Sequence, residues 1–201
     1  NTNIAIGSWS LAGSPTPANN TGLGNNGIGF FALRNNSSGS RNNTLGTETL
    51  FFNTTGSGNI AIGYRSLYNN TITSDNTAVG DSTLYNNGVG AISSDDGAFN
   101  TAVGSKAMRD NTIGQWGTAV GYKAMMKNET GLYNTAVGFQ SLNQNVSGHS
   151  NVAFGSESLR NNISHFNSAF GGQSLASNTS GSYNTALGRV SGYNNTTGKN
   201  N

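Results

Sequence analysis

Few side chains in this sequence have the type and spacing to do chemistry. His149 and His165 stand in equivalent polar stretches sixteen residues apart, and two such imidazoles could begin a metal site. No third ligand is placed with them, whereas zinc takes at least three protein ligands, so they read as turn residues. Asp95 and Asp96 are the one adjacent acidic pair; with Ser93, Ser94 and nearby carbonyls they could take calcium, and the plainer reading is a solvated loop tip. Ser and Thr abound, but no Ser-His-Asp set and no nucleophile elbow accompany them. Cysteine is absent, which removes disulfides and thiolate sites and fits extracellular bacterial and viral proteins. The chain is therefore expected to carry no catalytic residue, cofactor or metal. What remains is aromatic. Tyr64, Tyr122, Phe139 and Trp116, with Trp9, Phe30 and Phe31, are either exposed anchors for a carbohydrate or protein ligand or the lining of a subunit seam.

Composition narrows the class further. Hydrophobic residues make up 33% of the 201 and charged residues 9%, both low for a soluble globule. Disordered chains of low hydrophobicity usually carry high net charge and no strict pattern; here the net charge is +2 and the pattern is strict. The basic residues are scattered singly, so no nucleic-acid groove is expected. No apolar run approaches the length of a membrane-spanning helix.

The elements that must position these side chains come from a repeat. Asn134-Thr-Ala-Val-Gly-Phe-Gln-Ser-Leu142 recurs as Asn76-Thr-Ala-Val-Gly-Asp-Ser-Thr-Leu84 and Asn59-Ile-Ala-Ile-Gly-Tyr-Arg-Ser-Leu67. Taking the Gly of each copy as a marker (Gly7, Gly29, Gly46, Gly63, Gly80, Gly104, Gly121, Gly138, Gly155, Gly171, Gly188) gives eleven copies, most of them 17 residues apart. Asn stands four before the marker in ten copies (Gly117 is the exception) and seven after it in ten. The residue just before it is aliphatic or Phe, and the residue four after is Leu or Met until Gly192.

Seventeen residues are too few for a helical hairpin, and no helical apolar stripe is present. The Thr-Ala-Val segment alternates with strand period, while Gly and Asn supply turns that need φ > 0. The fold class expected is all-β: a parallel β-solenoid of about eleven coils with two short strands per coil. It would form one domain over 1–201, with insertions near 12–24 and 86–98. Stacking turns each column into a ladder. Val79, Val137, Leu84 and Leu142 are expected to form a thin apolar core. Asn59, Asn76, Asn134 and Asn151, and likewise Asn70, Asn87, Asn128 and Asn145, are expected to bond through their amides. At strand spacing the stack would be a rod of roughly 50 Å. Sequons such as Asn53-Thr-Thr55 and Asn128-Glu-Thr130 use the Asn ladder and follow from composition.

The unit 134–142, and most closely Asn59-Ile-Ala-Ile-Gly-Tyr-Arg-Ser66, resembles the Asn-Ser-Val-Ala-Ile-Gly-x-x-Ser head repeat of trimeric autotransporter adhesins, the YadA-like head. The resemblance covers essentially the whole chain. It implies a left-handed parallel β-roll, three chains around one axis and a surface-exposed adhesive fibre. The coil here is about three residues longer, in the Asn-Thr-x-Gly turn, and in this it is similar to repeats of phage and viral tail-fibre proteins.

Physical argument points to the same assembly. One short coil holds only a slender core, so association along a shared axis that buries a second column predicts a homotrimer. The ends lack polar caps, as expected of a piece of a longer fibre or of a subunit that stacks head to tail. The function expected is an extracellular fibre module on a cell or virion surface, a spacer or an adhesin for a host-surface glycan or protein. Its contacts would fall on Ser93 to Asp96, Tyr64, Tyr122, Phe139 and Trp116. A different reading is ice binding, since Thr77, Thr101, Thr118, Thr135 and Thr185 share one column. That column is broken by Ile4, Asn26, Asn43, Ile60 and Val152.

Overall fold

The structure is a computed structural model that describes residues 2–12 and 21–201. The first insertion, with Pro15 and Pro17, lies largely outside the described residues. Eleven strands of three residues each run in chain order: β1 Ile4–Ile6, β2 Asn26–Ile28, β3 Asn43–Leu45, β4 Ile60–Ile62, β5 Thr77–Val79, β6 Thr101–Val103, β7 Thr118–Val120, β8 Thr135–Val137, β9 Val152–Phe154, β10 Ser168–Phe170 and β11 Thr185–Leu187. They form one parallel sheet in sequence order, so the chain is a parallel β-solenoid. Repeat register and strand register coincide: Thr77, Ala78 and Val79 pair with Thr101, Ala102 and Val103, although the second insertion separates these coils.

Two expectations need correcting. Each coil has one strand, not two. The segment after the marker, where a second strand was expected, carries left-handed backbone at alternate residues: φ is 52° at Arg65 and at Leu67, and 51° and 50° at Gln140 and Leu142. Such a backbone cannot be a pleated strand. It still bonds coil to coil, since Leu67 N–H donates to Thr83 O at 3.0 Å and Leu142 N–H to Ser158 O at 2.9 Å. A non-Gly residue disfavours this region by about 1–2 kcal/mol, and a bond to the next coil at every rung holds it there. The marker Gly is more constrained still. Gly104 has φ 126°, and a Cβ on it would stand 2.6 Å from Gly121 O, so no side chain fits between these coils.

The second correction concerns the core, which is an Ala–Leu ladder rather than a Val–Leu one. Ala61, Ala78, Ala102, Ala119, Ala136 and Ala153 are fully buried, as are Leu67, Leu84 and Leu142. Val79 and Val137 are only half-buried, and Val103 and Val120 are exposed. The cause is strand alternation. The Asn and Ala of Asn59-Ile60-Ala61-Ile62 both point inward, so Ile60 and Ile62 must point outward.

The Asn ladders are buried and bonded as expected. Asn59, Asn76, Asn134 and Asn70, Asn87, Asn128, Asn145 have no exposed surface, nor does Asn151. In the first ladder Asn59 Nδ2 donates to Asn42 Oδ1 at 3.1 Å and to Thr73 O at 3.0 Å, while its N–H reaches the same Oδ1 at 3.0 Å. Asn151 repeats this on Asn134. In the second, Asn145 Nδ2 donates to Asn128 Oδ1 and to Gly148 O, both at 3.0 Å. A regular rung bonds both its neighbour and the turn, which is what lets an amide stay buried at low cost. Asn53 and Asn128 are fully buried, so their sequons are closed to modification in the folded coil.

Both irregularities in the ladders have local causes. At Gly117 an Asn is missing, and a Cβ there would stand 2.7 Å from Met108 Cε and 3.2 Å from Met125 Cε. The two Met residues of the Leu column flank this position, and their longer side chains fill the space an Asn side chain would take. Elsewhere, the coil between Gly155 and Gly171 is one residue short. There Asn162 Nδ2 bonds Ser164 O at 2.9 Å instead of reaching back, and Asn145 Oδ1 is buried without a partner.

Candidate functional site

Because the inside of the coil is filled by Ala, Leu and Asn, anything the chain recognises must meet its outward columns. The largest is the outer face of the sheet. Its two columns hold Ile4, Ile60, the Thr residues and Val152 on one side, and Ile6, Leu45, Ile62, Val103, Val120, Phe154, Phe170 and Leu187 on the other, all eight of the latter exposed. Ile28, Leu45, Ile60 and Ile62 line a shallow apolar groove of about 280 Å³ on this face. An unbroken apolar stripe the length of a solenoid exceeds the scattered apolar exposure of a soluble monomer. The Thr column shares this face: Thr77, Thr118 and Thr135 are half-buried, Thr101 and Thr185 exposed.

Aromatic ladders form the second feature. Trp116 is the middle rung of Phe99, Trp116 and Tyr133, which lie five before the marker in successive coils. Ring centroids are 6.0 and 4.7 Å apart, with planes within 5° and 2° of parallel. The ladder lapses at Ser150 and resumes with Phe166 on Tyr183 at 4.9 Å. A second ladder runs through Phe51, Tyr68 and Tyr85, five after the marker, with centroids 5.4 and 5.1 Å apart. Of these rungs the sequence analysis singled out only Trp116. The others carry the same signal, a fixed offset from the marker, but that offset becomes visible only when the variable columns are read as closely as the constant ones.

The remaining candidates separate into different places. Tyr64, Tyr122 and Phe139 do share one column just past the marker, and all three are exposed. Tyr122 stacks on Phe139 at 5.8 Å, whereas Tyr64 lies alone under the Arg65 guanidinium at 4.9 Å. Trp116 belongs to the other ladder, away from that column. Ser93, Ser94 and Asp95 are exposed at the tip of the second insertion, and Asp96 beside them is half-buried. There Asp96 Oδ2 accepts the N–H groups of Ile92 and Ser93 at 3.0 and 3.2 Å. Those bonds fold the carboxylate into its own turn, and Ile92 beside it is 94% exposed.

His149 and His165 stack at 5.0 Å. His149 Nδ1 accepts the Leu132 N–H at 2.9 Å, and His165 Nδ1 accepts the His149 N–H at 2.9 Å. Accepting at Nδ1 fixes the neutral Nε2–H tautomer. Burial, and then the neighbouring His165, lower the pKa of His149 below its ordinary value. Among the described residues no three His, Cys, Asp or Glu side chains come together as a metal site, and no helix is long and apolar enough to cross a membrane. Compared with protein-family models, with curated proteins and with solved structures, the chain matches none of them.

Proposed function

We propose that this chain is a module of a homotrimeric surface fibre, in which the outer sheet faces of three solenoids pack around a common axis. The observation that carries this reading is the aliphatic column just before the marker, outward-facing along all eleven coils. A single parallel sheet with one face packed on its own coil and one face apolar needs a cover. Three copies supply it symmetrically, and burial of that column adds a second core to one that is thin. A rod of this kind serves as a stiff spacer, and its aromatic columns, lying off the sheet face, are the surfaces left to meet a host glycan or protein. The extracellular or virion surface is the setting such a fibre implies, and the likeness of the repeat unit to the YadA-like head and to tail-fibre repeats supports the same reading.

Light scattering at micromolar concentration tests it. The expected mass is three times the 20.7 kDa of the chain, and a stable monomer would sink the proposal. One observation favours a second reading. Thr77 and Val79, Thr101 and Val103, Thr118 and Val120, and Thr135 and Val137 repeat in register over four coils and face outward, the kind of flat array an ice binder would use. A trimer seam and an ice-binding face cannot be the same surface, so a monomer with thermal hysteresis would replace the fibre reading.

A further inference from the structure

The aromatic ladder of the first coils ends in an opening. Tyr85 stacks on Tyr68 below it, but the next coil places Arg109 at the equivalent position. The Arg109 guanidinium is turned aside, Nε and Nη2 donating to the two carboxylate oxygens of Asp110 at 2.8 Å each. The upper face of the Tyr85 ring is therefore left without a stacked ring. In the same coils the neighbouring columns shrink: Ser82 stands between Arg65 and Lys106, and the column of Tyr64 continues as Asp81 and Ser105. The result is a cleft of about 390 Å³ lined by Tyr64, Arg65, Ser82, Tyr85, Lys106 and Arg109, with Asn86 and Asp110 at its edge.

Its chemistry is unlike the rest of the surface. Three of the ten Lys and Arg residues of the chain line this one cleft, facing a single carboxylate. Arg65 is held by Glu48 at 2.6 Å and Arg109 by Asp110. Lys106 has no ion-pair partner among the described residues. So the cleft offers one uncommitted ammonium, an unstacked phenol face, a hydroxyl and the second N–H of an Asn86 amide that already accepts from Asn69 at 3.0 Å and donates to Asp110 Oδ1 at 3.4 Å.

We propose that this cleft binds the carboxylate-bearing pyranose of an acidic glycan. The C–H face of the sugar lies on Tyr85, its carboxylate on Lys106, and its hydroxyls reach Ser82 and Asn86. A single uncommitted cation matches a monoanion. A half-buried aromatic ring with one unstacked face beside polar side chains suits a ring with one apolar side and a polar rim. This site rests on the fibre reading only in that it names what such a fibre would grip; the mass measurement above is independent of it.

The test is titration of the full chain with glucuronate- and N-acetylneuraminate-terminated oligosaccharides and with their glucose- and galactose-terminated counterparts. The unmodified chain is expected to favour the acidic sugars about tenfold, as one charged hydrogen bond allows, and less so as NaCl is raised. Lys106→Gln should erase the preference without changing the circular dichroism spectrum. Tyr85→Leu should weaken acidic and neutral sugars alike. Equal binding of both classes, indifference to Lys106→Gln, or no binding of any sugar overturns the cleft. Trimer mass with no sugar bound would leave the fibre reading standing, and monomer mass with the acidic preference intact would leave the cleft standing without the fibre.

Discussion

The inside and the outside of this coil obey different rules. Inside, Asn, Ala and Leu recur almost unchanged, and where one changes its neighbours change with it, as Met108 and Met125 do around Gly117. Outside, apart from the apolar column just before the marker, a column keeps its character for a few coils and then switches, as Phe51, Tyr68 and Tyr85 give way to Arg109. The difference follows from desolvation. A buried amide or a close-packed methyl has no substitute partner, whereas an exposed ring that loses its stacking partner falls back on water. The constant interior columns therefore report folding, and places where a variable column breaks are where recognition can be built.

Interior truncation should break that comparison most visibly. Leu67→Ala removes a fully buried side chain and should cost about 3 kcal/mol in denaturant unfolding. Val120→Thr, three coils on and outward, should cost under about 0.5 kcal/mol under conditions where the chain is monomeric. If the two losses are equal, the division into inside and outside is wrong. If three chains pack as proposed, Val120→Lys should reduce the mass measured by light scattering to that of one chain, because a charge would be buried in the seam.

The Asn ladder comes next. Asn70→Ala leaves Asn53 Oδ1 and Asn87 Nδ2 without a partner they use at 3.0 and 3.2 Å, and the expected loss is about 2 kcal/mol. The exception at Gly117 sharpens the point. Gly117→Asn alone should destabilise, because its side chain meets both Met residues. In a Met108→Leu, Met125→Leu background the same change should stabilise, giving a coupling of about 1–2 kcal/mol in a mutant cycle. Additive effects would show that the Met residues do not compensate for the missing Asn. On the outside, Trp116→Ala removes the middle rung of its ladder and should cost only about 1 kcal/mol.

The smallest effect expected is that of pH. The folded state holds His149 below its ordinary pKa, so the unfolded chain binds the proton more readily. The stability this contributes is fully present above about pH 6.5 and is lost as pH falls from there through the folded value. His149→Gln should flatten the unfolding midpoint across that window. A midpoint that rises on acidification would contradict the accepting role of His149 Nδ1.

Much of this was legible in the residues. Asn59, Asn76 and Asn134 recur at one offset from the marker, and that recurrence alone places them in a common ladder. The tight marker turn was equally plain, since every copy uses Gly. Less legible was the direction of Val79 and Val137. Apolar type points to a core, yet alternation from the buried Asn overrides it and turns the Val to the outer face of the sheet. The segment around Leu84 and Leu142 looked like a second strand because no local signal distinguishes a pleated rung from one with left-handed φ at alternate residues. Among the contact candidates, Tyr122 and Phe139 do stack, while Trp116 and the 93–96 tip lie elsewhere, because positions near in the repeat can point to different sides of the coil.

By itself, then, the sequence determined the period, the coil count, the parallel register and the identity of the buried amides, because each of these is a property that repeats every 17 residues. Only the tertiary structure decided which way the aliphatic column faces, that each coil has a single strand, and that the ring face of Tyr85 is open beside Lys106. Those features arise between coils, where side chains about 4.8 Å apart across the stack either meet a partner or find the next rung missing.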